Sequence, residues 1–206
     1  VTTVQGFVAP GFERVADMLG GGTRLTLGGR ERVVDLGAGG GAFAAYRNGE
    51  PLVDIWAGSS APGVAWTAGT RAVVMSATKG LTAMCAHVLF DRGQLDVDAP
   101  VEKYWPEFAA AGKGATLVSE LLSHRAGCIG VPDADGLLSW DGRGWDDTVA
   151  IAAAIAAGPP AWSPGSRHGY HALSFGWLVG ELVRRIAGVS LGTFFRTEVA
   201  QPLGAA

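Results

Sequence analysis

A serine and a lysine three residues apart, Ser76 and Lys79, stand at the head of a segment whose apolar residues recur at helical spacing. In a helix that separation puts both side chains on one face about one turn apart, so the lysine can reach the serine oxygen. A serine hydroxyl is a weak nucleophile until a neighbouring base takes its proton. A lysine serves as that base only when burial or a nearby positive charge lowers its own pKa. A helix N-terminus adds backbone N–H groups and the positive end of a dipole beside the oxygen that becomes charged in acyl transfer. The pair therefore admits acyl-transfer chemistry. It equally fits an N-cap serine followed by a solvated lysine, and spacing alone does not separate the two.

Other residues could do different chemistry. His168 and His171 flank Tyr170 and could begin a metal site, but no carboxylate or third histidine stands at helical spacing to complete one, so they read as polar residues at a cleft mouth. The run Val33-Val-Asp-Leu-Gly-Ala-Gly-Gly-Gly41 resembles the first motif of S-adenosylmethionine-dependent methyltransferases, with Asp54 where a ribose ligand would be sought. Such a site needs a helix directly after the glycines, and Asn48-Gly49-Glu50-Pro51 leaves too little chain for one. A glycine-rich entry to a hairpin is the simpler reading. Trp140, Trp145 and Trp162 could line an acyl pocket or belong to a core. Cys85 and Cys128 are too few for a disulfide framework and read as small buried residues in a reducing compartment.

The elements that would position these groups come in a clear order. Gly11 to Leu19 reads as a short helix with Phe12, Val15, Met18 and Leu19 on one side, lying on something apolar and stopped by Gly20-Gly21-Gly22. Ala42–Arg47 and Glu50–Ala57 are β-prone runs joined by Asn48-Gly49, the dipeptide that favours a type I′ hairpin turn. A weaker β signal covers Arg24 to Leu36. From Ser76 to Phe90 the period is helical, with Leu81, Met84, Cys85, Val88 and Leu89 on the buried face and Gly93 as the stop. Shorter helices are expected at Leu117–Ser123 and Asp147–Ala157, and a long one at Leu173–Ala187, whose stripe is Phe175, Leu178, Val179, Leu182, Val183 and Ile186 before Gly188. No third strand follows the helices.

With 206 residues, 48% of them hydrophobic, the chain can bury a substantial core, and its net charge of −3 is spread along the sequence. That excludes a basic stripe for nucleic acid or a polybasic membrane surface and favours a small-molecule substrate. The start lacks the pattern of a signal peptide, and Val149 to Ala157 is about half the length that spans a bilayer, so a cytoplasmic protein is expected.

Several motifs extend the serine and lysine into a pattern. Ser76-Ala-Thr-Lys-Gly-Leu-Thr is followed by Asp91-Arg-Gly-Gln-Leu-Asp-Val-Asp-Ala-Pro100, Tyr104-Trp-Pro-Glu107 and Leu121-Leu-Ser-His-Arg-Ala-Gly127. Trp162-Ser-Pro-Gly165 and Gly169-Tyr170 come after them. In order and spacing, from about Gly40 to Leu203, the chain resembles the serine β-lactamase family in its class C, carboxylesterase and D-alanyl-D-alanine carboxypeptidase branch. The resemblance implies a β-lactamase-like α/β fold, an antiparallel sheet flanked by helices plus a helical region. The whole of 1–206 would be part of one such domain, with a helix and hairpin at about 11–57 and the helical region at about 76–203. It implies that Ser76 is acylated, that Lys79 helps deprotonate it, and that Tyr170 carries the proton to the leaving group. Trp162, His171 and Ala172 would touch substrate, and neither cofactor nor metal is expected. His124 matches a position of structural character.

Two departures shape the functional expectation. Relatives acting on lactams or peptides carry Tyr-x-Asn at the second motif, whereas Ala172 stands here, which tilts the reading towards a carboxylesterase on small esters or amides. The family's third motif, on a late strand that supplies an oxyanion N–H, is not found, and one such donor is worth on the order of 10²–10³ in rate. The chain is therefore expected to be a fragment with an incomplete sheet, one hairpin strand or its neighbour having an unpaired edge open to self-association. A β-lactamase, a carboxypeptidase and a catalytically incomplete binding member are the alternatives.

Overall fold

The computed structural model describes residues 2–21, 23–27, 30–34, 39–132, 134–139 and 141–205. They divide into two compact units, Val1–Val73 and Val74–Ala206. The first unit contains β1 (Val4–Val8), α1 (Glu13–Leu19), β2 (Thr23–Leu27), β3 (Arg30–Val34), β4 (Gly40–Arg47), β5 (Glu50–Ala61) and β6 (Val64–Ala65). β5 is central, paired antiparallel with β1 on one side and β4 on the other, with β6 folding back on its end. β2 and β3 form a separate antiparallel pair.

The β4–β5 hairpin turns where its chemistry requires. Asn48 and Gly49 both have positive φ, 53° and 84°, as a type I′ turn demands, and Arg47 sits opposite Glu50. Along β5, Val53, Ile55 and Ala57 are buried on alternate positions, the period of a strand with one covered face. β1 is an addition that the sequence patterning does not announce. Gly6 lies inside it at φ 108° opposite Ile55, and a Cβ there would overlap the Asp54 carbonyl. Its partners lie some fifty residues away, so only tertiary pairing makes the segment a strand. Among the described residues β4 and β1 each pair with β5 alone, so the sheet is open, as expected. α1 lies on β1 and β5 with Val15, Met18 and Leu19 half-buried, while Phe12 just before it is exposed.

The second unit is helical: α2 (Thr78–Asp91), α3 (Val118–Leu122), α4 (Ala134–Leu137), α5 (Thr148–Ala157), α6 (Ser174–Ala187) and α7 (Leu191–Phe195), with tighter 3₁₀ turns between α2 and α3. α6 packs against α2, α3, α5 and α7. It buries Phe175, Leu178, Val179, Leu182 and Val183, with Ile186 half-buried at the edge, and ends in Gly188 at φ 73°. This is the stripe and the stop read from sequence. α5 starts at Asp147, whose Oδ1 accepts from the Ala150 N–H at 3.0 Å.

α2 buries Cys85 and Leu89 and packs Val88 against the core as expected, but the rest of its buried face is shifted. Thr82, Cys85, Ala86 and Leu89 point into the core, while Leu81 and Met84 are about two-fifths exposed. The helix is rotated because α6 and α7 both pack on it, and a seam between two helices selects the small residues. Both cysteines are free and buried as read, and burial pushes the Cys128 thiol up to about 11. No helix among the described residues is long and apolar enough to cross a membrane.

Candidate active site

Ser76 lies in a 3₁₀ turn, Met75–Ala77, that feeds directly into α2. Met75 has φ 47°, a left-handed conformation that a side chain with a γ-carbon adopts only under constraint. The strain sits at the residue immediately before the serine, and the serine side chain is exposed. One turn later the Lys79 ammonium donates to Ser76 Oγ at 3.3 Å, so the expected spacing is realised as a contact.

Tyr170 and Ala172 reach the same place from the turn that precedes α6. The Lys79 ammonium donates to the Ala172 carbonyl at 2.7 Å and lies 4.8 Å from the centre of the Tyr170 ring. The Tyr170 phenol is held below its ordinary value, first by hydrogen bonding with Ser76, then by Lys79. A backbone carbonyl thus holds the lysine at the position where the family's asparagine amide is missing. Ser76, Lys79, Tyr170 and the main chain of residue 172 are brought together, all within the helical unit.

The turn carrying Tyr170 is fixed from behind. His171 is fully buried, its Nδ1 donating to the Gly169 carbonyl at 2.7 Å and its Nε2 accepting from the Cys128 N–H at 3.0 Å. Both ring nitrogens are used by backbone, which corrects the expected place of His171 among substrate-touching residues and leaves it no nitrogen for a metal. No cluster of three potential metal ligands occurs among the described residues. Burial lowers the His171 imidazole pKa, so it is neutral near pH 7. Ser174 Oγ donates to the Cys128 carbonyl at 2.5 Å, tying the start of α6 to the same segment.

Trp162 also backs the turn. Its indole N–H donates to the Arg125 carbonyl at 3.2 Å, and a Cβ on Gly169 would run into its ring. Trp145 packs on Trp177 and donates to the Ser139 carbonyl at 2.9 Å, and Trp140 lies outside the described residues. An apolar cavity of about 280 Å³ does open in this unit, lined by Cys128, Ile129, Val131, Ile155 and Pro160 without Trp145 or Trp162. The methyltransferase alternative fails on topology: residues 35–38 lie outside the described ones, but the glycines run into strand β4 where that fold needs a helix.

On sequence alone His124 stands outside the chemistry, yet its ring lies 5.1 Å from that of Tyr170 and 4.9 Å from that of Phe175. No periodicity or motif spacing signals this, because the two segments are brought together only by the packing of α3 on α6.

Comparison with known proteins shows the family and its fold. The family described as Beta-lactamase matches residues 24–206. The esterase/beta-lactamase LipL of Mycobacterium tuberculosis is 42% identical over 169 residues, covering 80% of this chain and 37% of LipL. A solved family VIII carboxylesterase is 35% identical with a TM-score of 0.76, covering 98% of this chain and 52% of the other. A penicillin-binding protein homologue from Caulobacter crescentus, also 35% identical, gives a TM-score of 0.82 over 98% of this chain and 51% of the other. The chain thus spans about half, or less, of the length of the proteins it matches.

Proposed function

The chain belongs to the Beta-lactamase family, and from that membership we propose that it carries the nucleophile-bearing part of a serine hydrolase acting on small esters. The observation that supports this most directly is the single Lys79 ammonium shared between Ser76 Oγ and the Ala172 carbonyl, beside a phenol whose pKa the same two side chains lower.

In this reading Tyr170, as phenolate, takes the proton of the Ser76 hydroxyl while Lys79 stabilises the charge. Ser76 Oγ attacks the ester carbonyl carbon and a tetrahedral oxyanion forms. The C–O bond to the alcohol then breaks, and the departing alkoxide takes the proton from Tyr170 to leave an acyl-serine. Water repeats the sequence in reverse, giving its proton to the same phenolate and releasing the acid. The exposed Ser76, presented by the strained Met75, is open to a carbonyl in line with α2, whose N-terminal dipole favours the developing charge.

Ester over lactam or peptide is the finer part of the proposal. Ala172 offers no side-chain amide to hold a substrate amide, and its backbone already serves the lysine. LipL bears both activities in its name, so a chromogenic cephalosporin belongs in the test.

The test is covalent labelling with a fluorophosphonate, together with turnover of short-chain p-nitrophenyl esters. Ser76→Ala should abolish labelling and lower ester turnover on the order of 10⁴-fold or more. Labelling that survives in Ser76→Ala would end the serine-hydrolase reading. The ester should be cleaved far faster than the cephalosporin, and equal efficiency on both would remove Ala172 as a determinant of preference.

A further inference from the structure

We propose that His124 is the positioning residue of this site: by accepting from the His171 N–H and backing the Tyr170 ring, it holds the phenol beside Ser76 and Lys79. The proposal rests on the reading of Tyr170 as proton carrier and adds a residue to it.

His124 comes just after α3 with φ 61°, a left-handed conformation that strains a residue with a Cβ. Three hydrogen bonds occupy it in that conformation. Its N–H donates to the Leu121 carbonyl at 3.3 Å, its carbonyl accepts from the Gly169 N–H at 3.1 Å, and its Nδ1 accepts from the His171 N–H at 3.2 Å. One residue therefore grips the first and the last members of Gly169-Tyr170-His171, and the tyrosine is carried between them.

The ring does the rest. It lies 5.1 Å from Tyr170, 5.4 Å from His171, 4.9 Å from Phe175 and 6.0 Å from His168, centre to centre. Tyr170 itself is half exposed, so its packing is one-sided, and His124 together with Lys79 occupies the protein side. A phenol free to swing into solvent would lose the two contacts that lower its pKa.

An Nδ1 that accepts cannot carry a proton, so the arrangement requires a neutral ring. The groups facing it favour that state: burial first, then His171, His168 and Lys79, all of which disfavour a second positive charge and lower the His124 pKa. Arg125 adjoins it in sequence, with its guanidinium directed to the Gly165 carbonyl. Acidification through and below the ordinary imidazole range, about 6.5, protonates Nδ1, removes the acceptor and releases the turn.

Two substitutions separate this role from a merely structural one. His124→Gly suits the left-handed backbone but removes ring and acceptor. His124→Asn also tolerates that backbone and places an amide oxygen where Nδ1 accepts. The readout is ultraviolet titration of the Tyr170 phenol, taken as the difference from Tyr170→Phe, with fluorophosphonate acylation of Ser76 measured alongside.

In the unsubstituted protein and in His124→Asn the phenol should titrate below its ordinary value. In His124→Gly it should rise to about 10, the value of a free tyrosine, and acylation should slow at least tenfold. The acid-side loss of acylation should be weaker in His124→Asn, which has no imidazole at this position to protonate. A Gly variant with the phenol still lowered, or an Asn variant that behaves like Gly, overturns the proposal. If the Gly variant does not fold, the Asn variant decides, since retention of the lowered phenol supports the acceptor role and its loss refutes it. Absence of Ser76 acylation in every form would instead defeat the serine-hydrolase reading, while the phenol titration still reports on His124.

Discussion

The two units reach their folds by different means. In the helical unit, apolar faces of α2, α3, α5, α6 and α7 close on one another and on Trp105 and Phe108 from the 3₁₀ turns. In the sheet unit, the buried apolar side chains among the described residues are Val53, Ile55 and Ala57 on one strand, while Phe7, Phe43 and Tyr46 are about half exposed. The helical unit also holds Ser76, Lys79, His124, Tyr170 and Ala172 together. The candidate site stands on that packed core: Ser76 is exposed and Tyr170 half-exposed, so dense packing fixes the segments that carry them rather than the side chains themselves. A sheet held mainly by backbone pairing sets strand register well, but it locks few side chains.

If that contrast holds, the largest effect comes from opening the helical core. Leu182 is fully buried at the middle of α6. Leu182→Ala should destabilise the helical unit by about 2–5 kcal/mol in chemical denaturation, because a cavity in a closely packed core relaxes only partly. A cost below about 1 kcal/mol would mean that the core yields easily and the contrast is overstated.

The smaller effect comes from the sheet, where backbone rather than side-chain packing is at stake. Gly6→Ala places a Cβ against the Asp54 carbonyl at a positive φ. It should weaken β1–β5 pairing by about 1–3 kcal/mol. Hydrogen exchange should show protection lost at Val4–Val8 and kept in α2 and α6. Unchanged protection at Val4–Val8 would show that the strand accommodates the methyl group, and loss throughout α6 would show that the two units are not independent in this respect.

What was legible in the sequence is what neighbours along the chain decide. The Leu178–Leu182 stripe of α6, the Asn48-Gly49 turn and the Gly188 stop follow from periods and φ preferences within a few residues. The contact between Ser76 and Lys79 belongs to the same class, since one helical turn is enough to make it. The motif order also carried the family and, with it, the place of Tyr170 in the site.

The remainder needed the fold, because each missing fact is a relation between segments far apart in the chain. β1 is a strand because Val4–Val8 meets Val53–Ala57, and the face that α2 buries depends on α6 and α7 packing beside it. Lys113 would read as a surface lysine, yet it is fully buried, with its ammonium donating to the carbonyls of Ala110, Ala156 and Gly158. His171 turned inward for the same reason: the Cys128 N–H and the Gly169 carbonyl satisfy both its nitrogens, and a buried polar ring is stable only where such partners converge. Residue types and local spacing singled out Ser76 and Lys79 as candidates, while the packing of α3 and the 169–171 turn around α6 decided that Tyr170 lies beside Lys79 and that His171 is buried behind the turn.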